Sequence, residues 1–238
     1  MTDTFLDGRV RVTQPETGFR AGLDAVMLAA AIPAASGQTA LELGSGAGTA
    51  SLCLAARVPS LAVTGVEIDD SLVALAQANA AANGAAVRFV AADIFALPAE
   101  LKRDFDHVFC NPPFHGEGLA SPDAARATAL MDRGKLSDWL KLGLQRTVSG
   151  GFFTTILRAD RLNEALAALP ERGVCVLPLW PRAGEVPKRV IVQARKGSGA
   201  PFTLLPGLVL HQENGAWTNE SEAVLRRGEA LALKGGRL

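Results

Sequence analysis

The chain has 238 residues, 48% of them hydrophobic and 20% charged, with 24 glycines and 13 prolines. That is globular composition, long enough to bury about 70–75% of the surface an unfolded chain would expose, and it excludes disorder, collagen-like repeats and a disulfide scaffold. Lysine plus arginine balance aspartate plus glutamate at 24 each, so an overall basic nucleic-acid footprint is absent.

The balance is uneven along the chain. Residues 1–130 carry 8 basic against 14 acidic side chains, and residues 182–238 carry 9 against 5, which leaves room for a local basic face in the second half. No apolar signal-peptide core follows Met1. The longest Ala-rich apolar stretch, residues 25–35, is too short for a bilayer and contains Pro33. Cys53, Cys110 and Cys175 stand singly in apolar surroundings, without Cys-x-x-Cys spacing or a neighbouring histidine pair. No metal and no membrane are therefore expected, and free thiols in a reducing, cytoplasmic compartment are.

In chain order, residues 1–36 hold GFRAGLDAVMLAAAIP, an amphipathic helix candidate, and read as a helical lead-in. From residue 39, short β-rich runs alternate with Ala/Leu-rich segments. Strands are expected at 39–43, 62–67, 86–91, 106–110, 151–157, 173–179 and 188–194, and helices at about 48–57, 70–83, 135–147 and 160–168. Several strands are continuous apolar runs, as befits a parallel sheet covered on both faces. Such alternation implies an open α/β sheet over residues 37–196, with ligands bound beyond the carboxyl ends of the strands. Residues 197–238 begin with the Gly/Pro-rich GSGAP and form a C-terminal extension with a short helix at 219–228.

The first strand runs into Glu42-Leu43-Gly44-Ser45-Gly46-Ala47-Gly48. Glycines there permit a tight turn and close approach of a ligand to backbone at a helix N-terminus. The dinucleotide fingerprint G-x-G-x-x-G fits poorly, because Thr49 stands where its third glycine belongs. Glu42 would also repel a pyrophosphate, yet it suits a ligand bearing an ammonium and a sulfonium. Glu67, at the second strand's end, can accept both hydroxyls of a ribose. Asp93, after the third strand, can accept from the exocyclic amine of an adenine.

The fourth strand runs straight into Asn111-Pro112-Pro113-Phe114-His115. Two prolines fix φ and remove two donors, leaving carbonyl acceptors directed outward, and Asn111 adds a side-chain carbonyl. Two such acceptors can take the hydrogens of a planar amine and free its lone pair for in-line attack on a methylsulfonium. Phe114 would stack on the ring bearing that amine, worth roughly 1–3 kcal/mol. His115 is either a substrate contact or an exposed loop residue.

These segments resemble those of class I S-adenosylmethionine-dependent methyltransferases: ELGSGAG, GVEID, AADIF and NPPF appear in that family's order. More narrowly, RVTQPETGFRAGLDAVMLAAA, the NPPF corner and VLPLWPRAGEVPKRVIVQARKG resemble the bacterial tRNA(Val) adenine-N6 methyltransferase group. The resemblance implies a Rossmann-like α/β fold with a seven-stranded, mostly parallel sheet, its last strand antiparallel, and helices on both faces. It implies S-adenosylmethionine as cofactor, S-adenosylhomocysteine as product, and methylation of the adenine beside the anticodon of a tRNA. By the matched motifs, Glu42, Gly44, Ser45, Gly46, Gly48, Glu67, Ile68, Asp93, Ile94 and Asn111 would hold the cofactor, with Arg20 and Asp24 near its methionine end. Asn111, Pro112, Pro113 and Phe114 would form the catalytic corner.

Arg182, Lys188, Arg189, Arg195 and Lys196 group around the last two strands and could, with His115, grip RNA phosphates. The target base would have to leave its stack to reach Asn111. Other acceptors keep the same cofactor: guanine-N2 in RNA, which NPPFH followed by Gly116 also resembles, or a protein glutamine amide. A catalytically silent cofactor-binding domain and a nicotinamide-dependent hydride transferase are further alternatives, disfavoured by Asn111 with its two prolines and by the glycine spacing with Glu42, respectively.

Overall fold

The structure is a computed structural model that describes residues 1–113 and 135–233. Its elements in chain order are β1 (Thr2–Phe5), β2 (Val10–Thr13), α1 (Leu23–Ala31), β3 (Thr39–Leu43), α2 (Thr49–Arg57), β4 (Ala62–Glu67), α3 (Asp70–Ala82), β5 (Val87–Ala91) and β6 (Phe105–Cys110). After the segment that is not described come α4 (Leu136–Gln145), β7 (Thr147–Arg158), α5 (Leu162–Ala168), β8 (Val174–Trp180), β9 (Arg189–Arg195), β10 (Thr203–Leu204), β11 (Leu208–Val209) and α6 (Asn219–Leu225).

The main sheet has a kernel ordered β5-β4-β3-β6-β7-β9-β8. Neighbours from β5 to β7 pair in parallel, while β9 is antiparallel to both β7 and β8. These are the expected seven strands with the last reversed. Two short strands, β10 and β11, add to the edge of β8 and bring the sheet to nine strands among the described residues. β3 pairs with β4 on one side and with β6 on the other, so the chain reverses its direction of travel at β3. The crevice beyond β3 and β6 is where such sheets bind ligands.

Alternation along the strands divides the core into two layers. Ala40, Val63 and Phe109 face a cluster shared with α1, α2 and α3, whereas Leu41, Val108 and Cys110 face one shared with α4 and α5. Helix α3 starts on Asp69, whose carboxylate accepts from the backbone N–H groups of Ser71 at 2.8 Å and Leu72 at 3.3 Å. A cap of that kind contributes about 1 kcal/mol.

The N-terminal lead-in departs from expectation. Residues 2–13 form an antiparallel hairpin rather than helix, and its turn places Leu6, Asp7 and Gly8 at φ of 52°, 57° and 83°. Val10 and Val12 are buried while Arg11 and Thr13 are exposed, the period-2 pattern of a half-buried strand. Helix α1 is present but not amphipathic, since every residue from Ala25 to Ala31 is buried. It packs against α2, β7 and α6, and this enclosure explains its alanine content. Residues beyond 197 are tied to it: Thr218 caps α6, and the Leu231 N–H donates to Ala30 O at 2.8 Å.

Candidate active site

The glycine loop is pinned to the end of β4, with the N–H groups of Gly44 and Ser45 both donating to Val66 O, at 2.8 and 2.9 Å. Gly44, Gly46 and Gly48 all have positive φ, at 70°, 52° and 85°. They differ in surroundings. A Cβ on Gly48 would lie 2.5 Å from Phe89 Cζ and one on Gly44 would lie 2.8 Å from Trp139 Cη2, while one on Gly46 would meet nothing within 4 Å among the described residues. The outer two glycines are thus packing requirements, and the middle one is the open crest.

Glu67 organises that crest. Its Oε2 accepts from Gly46 N at 2.9 Å, and its Oε1 from Ile68 N at 2.8 Å and Asp69 N at 3.1 Å. Asp93 caps a short turn at Ile94–Ala96 by accepting from Phe95 N at 2.9 Å. Ile94 is buried beneath that turn. Ala92 N donates to Glu67 O at 2.9 Å, so the two acidic loops are joined side by side.

Glu42 lies under the loop, 3% exposed, with Oε2 accepting from Ser51 N at 3.1 Å and from the Ser51 hydroxyl. Burial, reinforced by the nearby negative charge of Glu67, outweighs the Ser51 hydrogen bonds and pushes its carboxyl up to about 8. Cys110, just before the Asn-Pro-Pro corner, is free, and burial likewise pushes its thiol up to about 12, away from the reactive thiolate.

Asn111 follows the last rung of the β3–β6 ladder, Leu43 opposite Cys110. Its Oδ1 is buried and has no hydrogen-bond partner among the described residues. Pro112 is buried and Pro113 half-buried behind it. Phe114 and His115 lie outside the described residues.

Asn79, which sequence reasoning passed over as one polar residue in an alanine-rich helix, joins two parts of the site. Its Nδ2 donates to Thr13 O at 2.9 Å and to Ala47 O at 3.0 Å, tying the hairpin to the glycine loop. Trp139 and Phe95 were missed too. Their rings meet edge to face at 6.3 Å beside Gly44, and at sequence level a tryptophan on an apolar helix face reads as core.

The remaining expected residues are spread more widely. Arg20 pairs with Asp3 of the hairpin at 2.7 Å, and Asp24 with Arg189 at 2.8 Å. The basic group divides, because β9 runs from Arg189, opposite Arg158 at the carboxyl end of β7, to Arg195, opposite Phe152 at the far end of the β7–β9 ladder. Arg182, Lys188 and Arg189 therefore stand at the end that carries the glycine loop. Arg195 and Lys196 stand at the far end, where Arg195 donates to Gly150 O at 3.1 Å and Lys196 to Gln145 O at 3.0 Å. One strand length separates what adjacency in sequence had grouped.

The loop fits S-adenosylmethionine. Ser45 Oγ and Thr49 Oγ1 are buried without partners among the described residues, the crest at Gly46 is open, and Glu67 and Asp93 offer carboxylates at adjoining strand ends. Fold and loop together define a Rossmann-like S-adenosylmethionine-dependent methyltransferase.

Comparison with known proteins narrows this. Residues 21–135 match the methyltransferase small domain family. A tRNA1(Val) (adenine(37)-N6)-methyltransferase of Porphyromonas gingivalis is 31% identical over 238 aligned residues, covering 92% of each chain. One from Cronobacter sakazakii is 27% identical over 202 residues, 80% of this chain and 81% of that one. Among solved structures, a predicted O-methyltransferase from Agrobacterium tumefaciens superposes with a TM-score of 0.72 at 27% identity, over 88% of this chain and 98% of that one. The Thermus thermophilus 16S rRNA N2 G1207 methyltransferase shares the fold, with a TM-score of 0.56 at 21% identity over 82% of this chain and 50% of that one. The chain belongs to the tRNA1(Val) (adenine(37)-N6)-methyltransferase family.

Proposed function

We propose that this protein methylates the N6 amine of adenine 37 in tRNA1(Val), in the cytoplasm. The observation that carries the reading is the buried Oδ1 of Asn111, without a hydrogen-bond partner among the described residues, one residue past the rung that joins the fourth kernel strand to the strand bearing the glycine loop. A buried acceptor left unsatisfied costs about 1–3 kcal/mol. It is explained if an exocyclic amine supplies the missing hydrogen. Family membership points to adenine as the base, and the free thiols of Cys53, Cys110 and Cys175 suit a reducing compartment.

When bound, S-adenosylmethionine supplies a methyl group on a positively charged sulfur. In this reading, Gly46 and the Ser45 and Thr49 hydroxyls receive it over the glycine loop, Glu67 holds its ribose and Asp93 its adenine. Asn111 Oδ1 takes one hydrogen of the target amine and a carbonyl of the proline corner takes the other, which directs the nitrogen lone pair at the methyl carbon. Pro112 and Pro113 make the corner rigid, so orientation rather than a strong base carries the rate. Once alkylated, the nitrogen loses its surplus proton to solvent. Phe114 stacks on the flipped base, and Arg182, Lys188 and Arg189, at the same end of the sheet, face the RNA backbone.

The test is transfer of labelled methyl to tRNA from a strain lacking the gene, followed by digestion to nucleosides and mass spectrometry. N6-methyladenosine is expected. N2-methylguanosine would overturn the choice of base, and label confined to protein would overturn the choice of polymer.

A further inference from the structure

Trp139 sits in the first turn of α4, the helix that follows the Asn-Pro-Pro corner in sequence. It is 9% exposed. Its ring tip lies against Gly44, 2.8 Å from where a Cβ would stand, and its edge-to-face partner is Phe95, two residues past Asp93. One side chain therefore touches two of the loops assigned to the cofactor. Its indole Nε1 is buried and has no acceptor among the described residues.

That last fact is the informative one. A phenylalanine could supply the ring contacts without burying a donor, whereas an indole N–H left unmade in the interior carries the full desolvation penalty. Ring packing accounts for an aromatic here and does not account for this aromatic. Ser45 Oγ, Thr49 Oγ1 and Asn111 Oδ1, likewise buried without partners among the described residues, all belong to the proposed machinery. Trp139 Nε1 is a donor on a ring whose tip, at Cη2 and Cζ3, touches the same loop.

We infer that Trp139 is a further cofactor-binding residue, whose indole N–H donates to an oxygen or nitrogen acceptor of bound S-adenosylmethionine or its product while its ring fixes Gly44 and Phe95 in place. The inference rests on the methyltransferase reading above and adds to it a contact that no motif in the sequence marks.

S-adenosylhomocysteine is the probe, and the full-length wild-type protein is compared with Trp139→Phe, which keeps the ring and removes only the donor. Calorimetry should show affinity about tenfold weaker or more, the loss expected for one buried hydrogen bond, with a melting temperature at or above that of the wild type. The chain has three tryptophans. The indole N–H resonance that disappears in Trp139→Phe should be the one that moves most when S-adenosylhomocysteine is added to the wild type. Equal affinity in the two proteins would overturn the inference and leave the methyltransferase reading intact. So would unchanged affinity with a raised KM for tRNA, which would put the donor on the target base. Failure of the wild type to bind S-adenosylhomocysteine at all would overturn both.

Discussion

Gly44 and Asn111 leave the sheet side by side, each one residue past the Leu43–Cys110 rung. The loop assigned to the methyl donor and the corner assigned to the methyl acceptor are thus held by a single pair of hydrogen-bonded strands. Their separation is set by a parallel ladder rather than by flexible segments, which is what an in-line transfer requires of its scaffold.

Replacing Asn111 should separate binding from chemistry. Asn111→Ala removes the buried acceptor proposed to meet the target amine, so turnover should fall about 100-fold or more while affinity for S-adenosylhomocysteine stays within a few-fold. Single-turnover transfer and calorimetry on the same preparation check this. A parallel loss of cofactor binding would show that Asn111 serves the cofactor instead.

The glycine loop should yield two kinds of defect. Gly48→Ala forces a side chain onto Phe89 at positive φ and should lower unfolding free energy by about 1–3 kcal/mol. Gly46→Ala meets no neighbour among the described residues and should cost about 1 kcal/mol in backbone strain, yet cofactor binding should be lost if the ligand lies over the crest as proposed. Urea unfolding and S-adenosylhomocysteine titration of both variants test the contrast.

Glu67→Ala should weaken cofactor affinity and spare turnover at saturating cofactor, because a ribose contact persists from ground state to transition state. It also releases the N–H groups of Gly46, Ile68 and Asp69, so a modest fall in melting temperature should accompany the loss. A drop in saturated turnover alone would remove Glu67 from the ribose.

Glu42 makes the cofactor-free protein less stable as pH rises. Its folded value, about 8, lies above its ordinary value of 4.5, so between these limits the folded state holds a proton that the unfolded state has released. Stability from this group is complete below 4.5 and declines through the window by at most about 1.4 kcal/mol per pH unit. It is flat again above 8. Glu42→Gln, neutral throughout, should gain on the wild type as pH rises from 5 to 8 in urea unfolding. An unchanged difference between the two proteins would contradict a buried, protonated Glu42.

The divided basic group makes a prediction about RNA. Combined Arg182→Ala and Lys188→Ala should weaken tRNA binding and flatten its salt dependence by about one to two counterions. Arg195→Ala, at the far end of β9, should do neither.

Much of this architecture was legible because alternating short apolar strands and alanine-rich helices have distinct periods, and the glycine loop and Asn111-Pro112-Pro113 each follow a strand end. The hairpin at residues 2–13 was legible in principle: Asp7-Gly8 beside the alternating VRVT is a turn signal. The leading-helix expectation overrode it. Arg189 and Arg195 misled for a different reason. Seven residues are neighbours in a list and about 20 Å apart in a strand. Trp139 and Asn79 were not legible at all, since their roles depend on a meeting of α4 with Gly44 and of α3 with Thr13 and Ala47, and neither meeting leaves a local pattern.

The enclosure of α1 carries a consequence for how the chain is made. Part of the cover of this helix, α6 and the stretch of chain around Leu231, is synthesised about 190 residues after it. At roughly 5–20 residues per second, an alanine-rich apolar surface waits some ten to forty seconds for its partner. During synthesis the chain passes that interval with α1 incompletely buried, and closure of the layer over α1 waits on the segment that carries α6 and Leu231.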